Sequence, residues 1–291
     1  MSHLWKIALA FVGLVWGHAF AAQTNPDWTT PIRPFRIADN LYYVGSKDLA
    51  SYLVTTPKGH ILINSSLESS PELIKTSVEE LGFEYRDIRI LLISHAHWDH
   101  IAGSARVIEE TGAKYMVMDG DVPMVESGGA TDFAYADRPY PKAKVDRVLH
   151  DGDEVKLGDA VLVAHKTAGH TPGCTTWTMK VKQKGKMVNA VIVGSWFVNP
   201  EYRLVDEPGK PASYPGMADD YRKAFATLKK IPCDIFLGPH GSYLNMADKL
   251  VRAEKEGESV WIDPEGYKAA VAEREQAFET ELQKQQGEKQ L

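Results

Sequence analysis

Leu91-Leu92-Ile93-Ser94-His95-Ala96-His97-Trp98-Asp99-His100 is an apolar run that ends abruptly in three histidines and an aspartate. Residues 88–94 are apolar or small except for Arg89, which predicts a buried strand with the polar cluster placed where the chain leaves the sheet. Side chains two apart in extended backbone point to the same side, so His95 and His97 can reach one metal ion together. Asp99 and His100 are adjacent and meet at a second ion only if the chain bends, which Ile101-Ala102-Gly103 allows before a short helix. Imidazole nitrogen is a good zinc ligand, and a carboxylate adds negative charge and a hard oxygen. Solvent exposure alone does not select four ligand-type side chains in six residues at a strand end.

The H-x-H-x-D-H pattern of residues 95–100 resembles that of the metallo-β-lactamase superfamily. Giving each ion three protein groups requires two more ligands, and the sequence offers two at strand ends. Ala168-Gly169-His170-Thr171-Pro172-Gly173 follows a predicted strand at 161–166, and Gly238-Pro239-His240-Gly241 follows one at 234–237. Glycine beside each histidine lets backbone approach a crowded centre.

With these stretches and Gly59-His60-Ile61-Leu62-Ile63-Asn64 in place, the chain from about 35 to 250 is similar to the third subclass of metallo-β-lactamases, whose two-zinc sites use no cysteine ligand. That resemblance implies an αβ/βα four-layer sandwich. It also implies two Zn²⁺ cofactors, the first held by His95, His97 and His170 and the second by Asp99, His100 and His240. The implied reaction is hydrolysis of the β-lactam amide of penicillins, cephalosporins and carbapenems by a hydroxide bridging the metals. Asp99 is then catalytic as well as a ligand, since it brings the only negative charge among the six groups.

Ser195 separates substrate classes. Glyoxalase-like thioesterases and related phosphodiesterases carry a metal-bridging Asp in the pair that here is Gly194-Ser195, whereas the third subclass has a serine that binds no metal. Ser195 is therefore expected to bind the substrate carboxylate. Two departures stand out: Asn64 where the superfamily commonly has Asp, and Phe197 where a second hydroxyl is common. The competing enzyme reading is an exported two-zinc lactone, thioester or other ester hydrolase, and the competing non-enzyme reading is an exported zinc-binding protein.

With 291 residues, 44% hydrophobic and 25% charged, the chain is long enough for a large globular unit and is not disordered in character. A net charge of -6 and a pI near 5.9 argue against a nucleic-acid surface, leaving a small-molecule β-lactam as the expected partner. Lys6, the apolar run 7–16 and Ala19-Phe20-Ala21 read as a signal peptide over 1–21, with a membrane anchor as the competing reading although the run falls short of the ~20 apolar residues of a span; the signal reading places the mature chain, 22–291, in the periplasm as a monomeric single domain free of the membrane. Cys174 and Cys233 are too few for a disulfide framework and are expected to be small buried thiols.

Further strands are expected at 35–37, 41–44, 51–55, 60–64, 114–118, 145–149, 154–157, 175–182 and 187–193. Helices are expected from a hydroxyl cap at Ser69-Ser70 to Gly82, near 104–110, over 219–230, and from Asp263-Pro264-Glu265 onward with Tyr267, Val271, Phe278 and Leu282 on one face. The stretch 120–144 reads as an irregular loop bordering the site, and 283–291 as a fraying tail. His60, His150 and His165 are assigned structural roles, and Trp98 is expected to pack beneath the metal motif.

Overall fold

Phe35 opens a run of seven strands that lie side by side in the order in which the chain makes them. The computed structural model describes residues 25–207 and 209–287, so the expected signal peptide at 1–21 lies outside the described residues. Strands β1 (Phe35–Ala38), β2 (Leu41–Tyr43), β3 (Tyr52–Thr56) and β4 (Gly59–Ile63) pair antiparallel as a meander. Helix α1 (Ser70–Glu80) then carries the chain back, so that β5 (Ile88–Leu92) joins β4 in parallel. The single turn α2 (Trp98–Ile101) and helix α3 (Ser104–Thr111) lead to β6 (Lys114–Met118), and α4 (Val122–Ser127) leads to β7 (Arg147–Leu149), both strands parallel to their predecessors.

The second sheet is built from β8 (Glu154–Leu157), β9 (Ala160–Lys166), β10 (Thr175–Gln183), β11 (Lys186–Ile192) and, after helix α5 (Met217–Leu228), β12 (Ile235–Leu237). Its spatial order is β12-β11-β10-β9-β8, with only the β11–β12 pair parallel. Helices α6 (Met246–Glu256) and α7 (Pro264–Gly287) close the chain.

Alternation along β4 and β5 sets the layering. Ile61, Ile63, Ile90 and Leu92 face the second sheet, where Trp177, Ile192 and residues of α5 and α7 join one core. Leu62, Ile88 and Leu91 face the other way and pack with Ile74 and Val78 of α1 and Val107 of α3. A strand buried on both faces needs an unbroken apolar run, which residues 90–93 supply once the exposed Arg89 is passed. Helices outside two face-to-face sheets give the αβ/βα sandwich.

The structure corrects the sequence reading in several places. Ser69 makes no side-chain cap bond at α1, and Ser70 Oγ accepts from Leu67 N at 3.1 Å instead. The stretch 120–144 is helical at its start, where Pro123 fits the first turn of α4 and Gly128, at φ 68°, ends it. Helix α6 was not anticipated because it buries only Met246 and Lys249 and so lacks a wide apolar stripe. The tail stays helical to Gly287, since buried Gln285 accepts from Leu204 N at 2.7 Å and donates to Tyr202 O at 2.9 Å. Among the described residues no helix is long and apolar enough to cross a membrane.

Candidate metal centre

The site forms at the C-terminal ends of β5, β9, β11 and β12, which are followed by the 95–100 motif, His170, Ser195 and His240 respectively. β5 stops where Asn64 intervenes. Asn64 Oδ1 accepts from Ser94 N at 2.8 Å, its Nδ2 donates to Ala50 O at 3.3 Å, and its φ of 66° lies in the left-handed region that Asn tolerates. Its side chain thus ties the backbone just before His95 to that of Ala50, and an amide, with both a donor and an acceptor, serves where the superfamily commonly has a carboxylate. The bend needed after His97 is the turn α2, in which His100 N donates to His97 O at 3.0 Å.

Four of the five rings are oriented by a partner on one nitrogen. His95 Nδ1 lies 3.1 Å from Ser94 Oγ, and His97 Nε2 lies 3.3 Å from Tyr202 OH. His170 Nδ1 donates to Phe197 O at 2.8 Å, and His240 Nδ1 donates to Asp48 Oδ2 at 3.0 Å. The opposite nitrogens are left to converge. One ligand atom from each of His95, His97 and His170 lies within 4.8 Å of the others, and the same holds for His95, Asp99 and His100. Asp99 Oδ2 stands 3.3 Å from His100 Nε2 and 3.6 Å from His240 Nε2. Ligands about 2.0–2.2 Å from one tetrahedral zinc sit roughly 3.3–3.6 Å apart, so His100 and His240 each stand from Asp99 at the spacing of two ligands on one ion. His95 borders both groups.

Electrostatics agree with metal binding. Burial, reinforced by the neighbouring rings, holds His95, His97 and His100 well below the usual imidazole value, and burial lowers His170 to about 4. Neutral imidazole is the form that binds metal, and lone pairs converging without donors between them call for a cation. Burial pushes Asp48 toward its neutral form, but hydrogen bonds from His240 and Ser242 outweigh it and carry the carboxyl down to about 2. Asp48 therefore stays charged and fixes the His240 ring.

Asp121 is the structural residue that sequence reasoning missed. Its carboxylate accepts from Ala96 N at 2.8 Å, Thr171 Oγ1 at 2.9 Å and Gly173 N at 2.7 Å, fastening the loop of the first motif to the loop of His170. An acid one residue after Gly120 in an aperiodic stretch carries no ligand-like signal, so only the fold reveals it. Gly173 is required there, because a Cβ would lie 2.4 Å from Asp121 N.

Above the six groups opens a cavity of about 410 Å³, walled by Trp28, Trp98, Tyr135, Arg138, Asn199 and Tyr243. Trp98 packs against the core on one side, as expected, and also forms part of the wall, with Trp28 at 5.6 Å between ring centroids and the Arg138 guanidinium over its face at 4.8 Å. Ser195 is only 2% exposed and its hydroxyl is 2.9 Å from Tyr243 OH, so Tyr243 and not Ser195 faces the cavity. Phe197 lines the cavity with its ring while its carbonyl oxygen accepts from His170 and Tyr221. Cys174 is buried, Cys233 is half-buried, and both are free thiols. His165 Nε2 pairs with Thr178 Oγ1, and neither His60 nor His150 lines the cavity.

A family model described as the metallo-β-lactamase superfamily matches residues 49–252. The native FEZ-1 metallo-β-lactamase from Legionella gormanii superposes with a TM-score of 0.85 at 51% identity, covering 88% of this chain and 98% of that one. BJP-1, a subclass B3 metallo-β-lactamase of Bradyrhizobium japonicum, gives 0.83 at 36% identity, covering 90% and 98%. A curated metal-dependent hydrolase of Anaeromyxobacter dehalogenans (strain 2CP-C) is 29% identical over 126 residues, 43% of this chain and 42% of that protein. The chain thus spans less than half the length of that curated relative. With the family model matching most of the chain, and two solved relatives matching nearly end to end, this protein belongs to the metallo-β-lactamase superfamily.

Proposed function

We propose that the protein hydrolyses the amide bond of β-lactams with two zinc ions as cofactors. The observation that carries this reading is the meeting of Asp99 Oδ2 with His100 Nε2 and His240 Nε2 beside the His95, His97 and His170 cluster, on the floor of an open cavity. His95, His97 and His170 would hold one ion, and Asp99, His100 and His240 the other. Zinc bound there supplies Lewis acidity and brings the pKa of water down toward neutrality.

The remaining work falls to the chain itself. Asp99 contributes one negative charge against the four positive charges of two ions, which leaves the floor electropositive and suited to an anionic substrate. Asp48 and the carbonyl of Phe197 fix the His240 and His170 rings by accepting their Nδ1 protons, so the Nε2 lone pairs stay directed at the centre. Tyr202 OH donates to His170 O at 3.0 Å and lies beside His97 Nε2, tying the first cluster together from below. Asn199 Nδ2 donates to Tyr135 OH at 2.6 Å, which fixes two polar groups on the cavity wall against each other.

Penicillins, cephalosporins and carbapenems are the proposed substrates, and antibiotic resistance is the proposed consequence. We also propose that residues 1–21 export the chain to the periplasm, where it acts as a monomer. Recovery of a shortened mature chain in the periplasmic fraction supports export, and full-length protein in the cytoplasm contradicts it. The curated relatives are broader metal-dependent hydrolases, which keeps a lactone or thioester hydrolase as the second reading. Turnover of nitrocefin and imipenem by zinc-loaded protein, compared with a lactone and a glutathione thioester, separates the two. β-Lactam turnover well above the other two is expected; preference for the lactone or thioester overturns the proposal.

A further inference from the structure

Arg138 is the only Lys or Arg among the residues lining the cavity. It is half-buried, and among the described residues its guanidinium has no carboxylate partner. Its guanidinium carbon sits 4.8 Å from the centroid of Trp98, whose neighbours in sequence are His97 and Asp99. Trp28 extends the same wall, 5.6 Å from Trp98 and 5.8 Å from His240 between ring centroids, and is held by its own bond from Nε1 to Asp48 Oδ2 at 3.1 Å. An aromatic surface therefore runs from the second group of ligands to Arg138.

The backbone that carries Arg138 is also tied down. Ala134 N and Tyr135 N donate to Asp132 Oδ1, Arg138 N donates to Tyr135 O at 2.9 Å, and Tyr140 N donates to Gly128 O at 3.1 Å. A guanidinium stacked on an indole of a fixed loop loses little freedom when it takes an anion. Its planar fork matches a carboxylate, and it is more weakly hydrated than an ammonium group. Meanwhile the two positions expected to provide hydroxyls do not do so, since Ser195 is turned to Tyr243 and residue 197 is Phe.

We propose that Arg138, stacked on Trp98, binds the carboxylate of the β-lactam substrate, the role that the sequence assigns to Ser195. This inference rests on the β-lactam reading above. It makes Arg138 a specificity-determining residue, favouring substrates with an acid on the ring fused to the lactam over neutral analogues.

The test compares benzylpenicillin with its methyl ester, following lactam opening by zinc-loaded wild type, Arg138→Ala and Arg138→Lys. Zinc content and thermal unfolding are measured in parallel. In Arg138→Ala the preference for acid over ester in kcat/KM should fall about tenfold, as expected for a charge-assisted hydrogen bond, mainly through KM of the acid. Arg138→Lys, which keeps the charge but not the fork, should fall between the two. An equal loss for acid and ester in both variants would show that Arg138 only supports the loop, and an unchanged preference in both would exclude the contact. If the wild type opens neither compound, the β-lactam reading itself fails and the carboxylate role goes with it.

Discussion

Asp121 shows how much of a metal site depends on residues that never meet the metal. Three donors end on its carboxylate, two from the loop of His170 and one from between His95 and His97. Removing the acceptor leaves buried donors unpaired at about 1–3 kcal/mol each. Asp121→Ala should therefore lose at least about 3 kcal/mol of stability, together with zinc affinity. Denaturant unfolding of the zinc-free variant and a competitive zinc titration check this, and unchanged values in both would remove Asp121 from the site's framework. The pH dependence of the zinc-free protein reports on the same residues. Burial lowers His95, His97, His100 and His170, the last to about 4, so their unfolded forms take up protons first and stability falls as pH drops below about 6.5. Burial raises Asp121 to about 7 despite its hydrogen bonds, so its contribution is full below pH 3.8 and is lost as pH rises through 7. Burial raises Asp99 and Asp132 as well, and the four histidines, three of them held well below the usual imidazole value, outweigh these three carboxyls over the shared window. The midpoint of thermal unfolding in chelator should drop from pH 6.5 to pH 4, and a midpoint that rises toward pH 4 would show that the rings are not held neutral.

Among the elements, what the sequence reveals follows from how completely each is buried. β5 was legible because both its faces are covered, and the start of α7 because Asp263 Oδ1 caps Gly266 N at 2.9 Å just ahead of a buried stripe. Tyr267, Val271, Phe278 and Leu282 are all buried as their spacing requires. Helices α4 and α6 were not legible, the first too short for periodicity and the second largely solvated. The six candidate ligands could be read from their positions at strand ends. The orientation of Ser195 could not, because it depends on a hydroxyl 48 positions away in Tyr243. Arg138 and Trp98 likewise meet only after the 120–144 stretch has folded over the motif. Phe278 stacks on Tyr221 at 5.1 Å and lies 5.8 Å from Phe225, joining α7 to α5. Phe278→Ala should cost about 3–5 kcal/mol, measured by denaturant unfolding, while changing KM little. A loss below about 1 kcal/mol would mean that α7 is not part of the core.

Across the whole molecule, two sheets contribute their C-terminal strand ends to one cavity floor. β5 brings His95, His97, Asp99 and His100 from the first sheet, and β9 and β12 bring His170 and His240 from the second. Packing between the sheets is therefore what assembles both metal groups, and loss of that packing should release metal. Zinc titration of the chelated protein with imipenem turnover as the readout joins fold, metal and chemistry in one measurement. Activity should be absent without zinc, should return as metal is added, and should reach its plateau with two zinc ions bound per chain in wild type and fewer in His240→Ala. Full turnover in chelator, or no imipenem hydrolysis with both sites filled, would contradict a two-zinc β-lactam hydrolase.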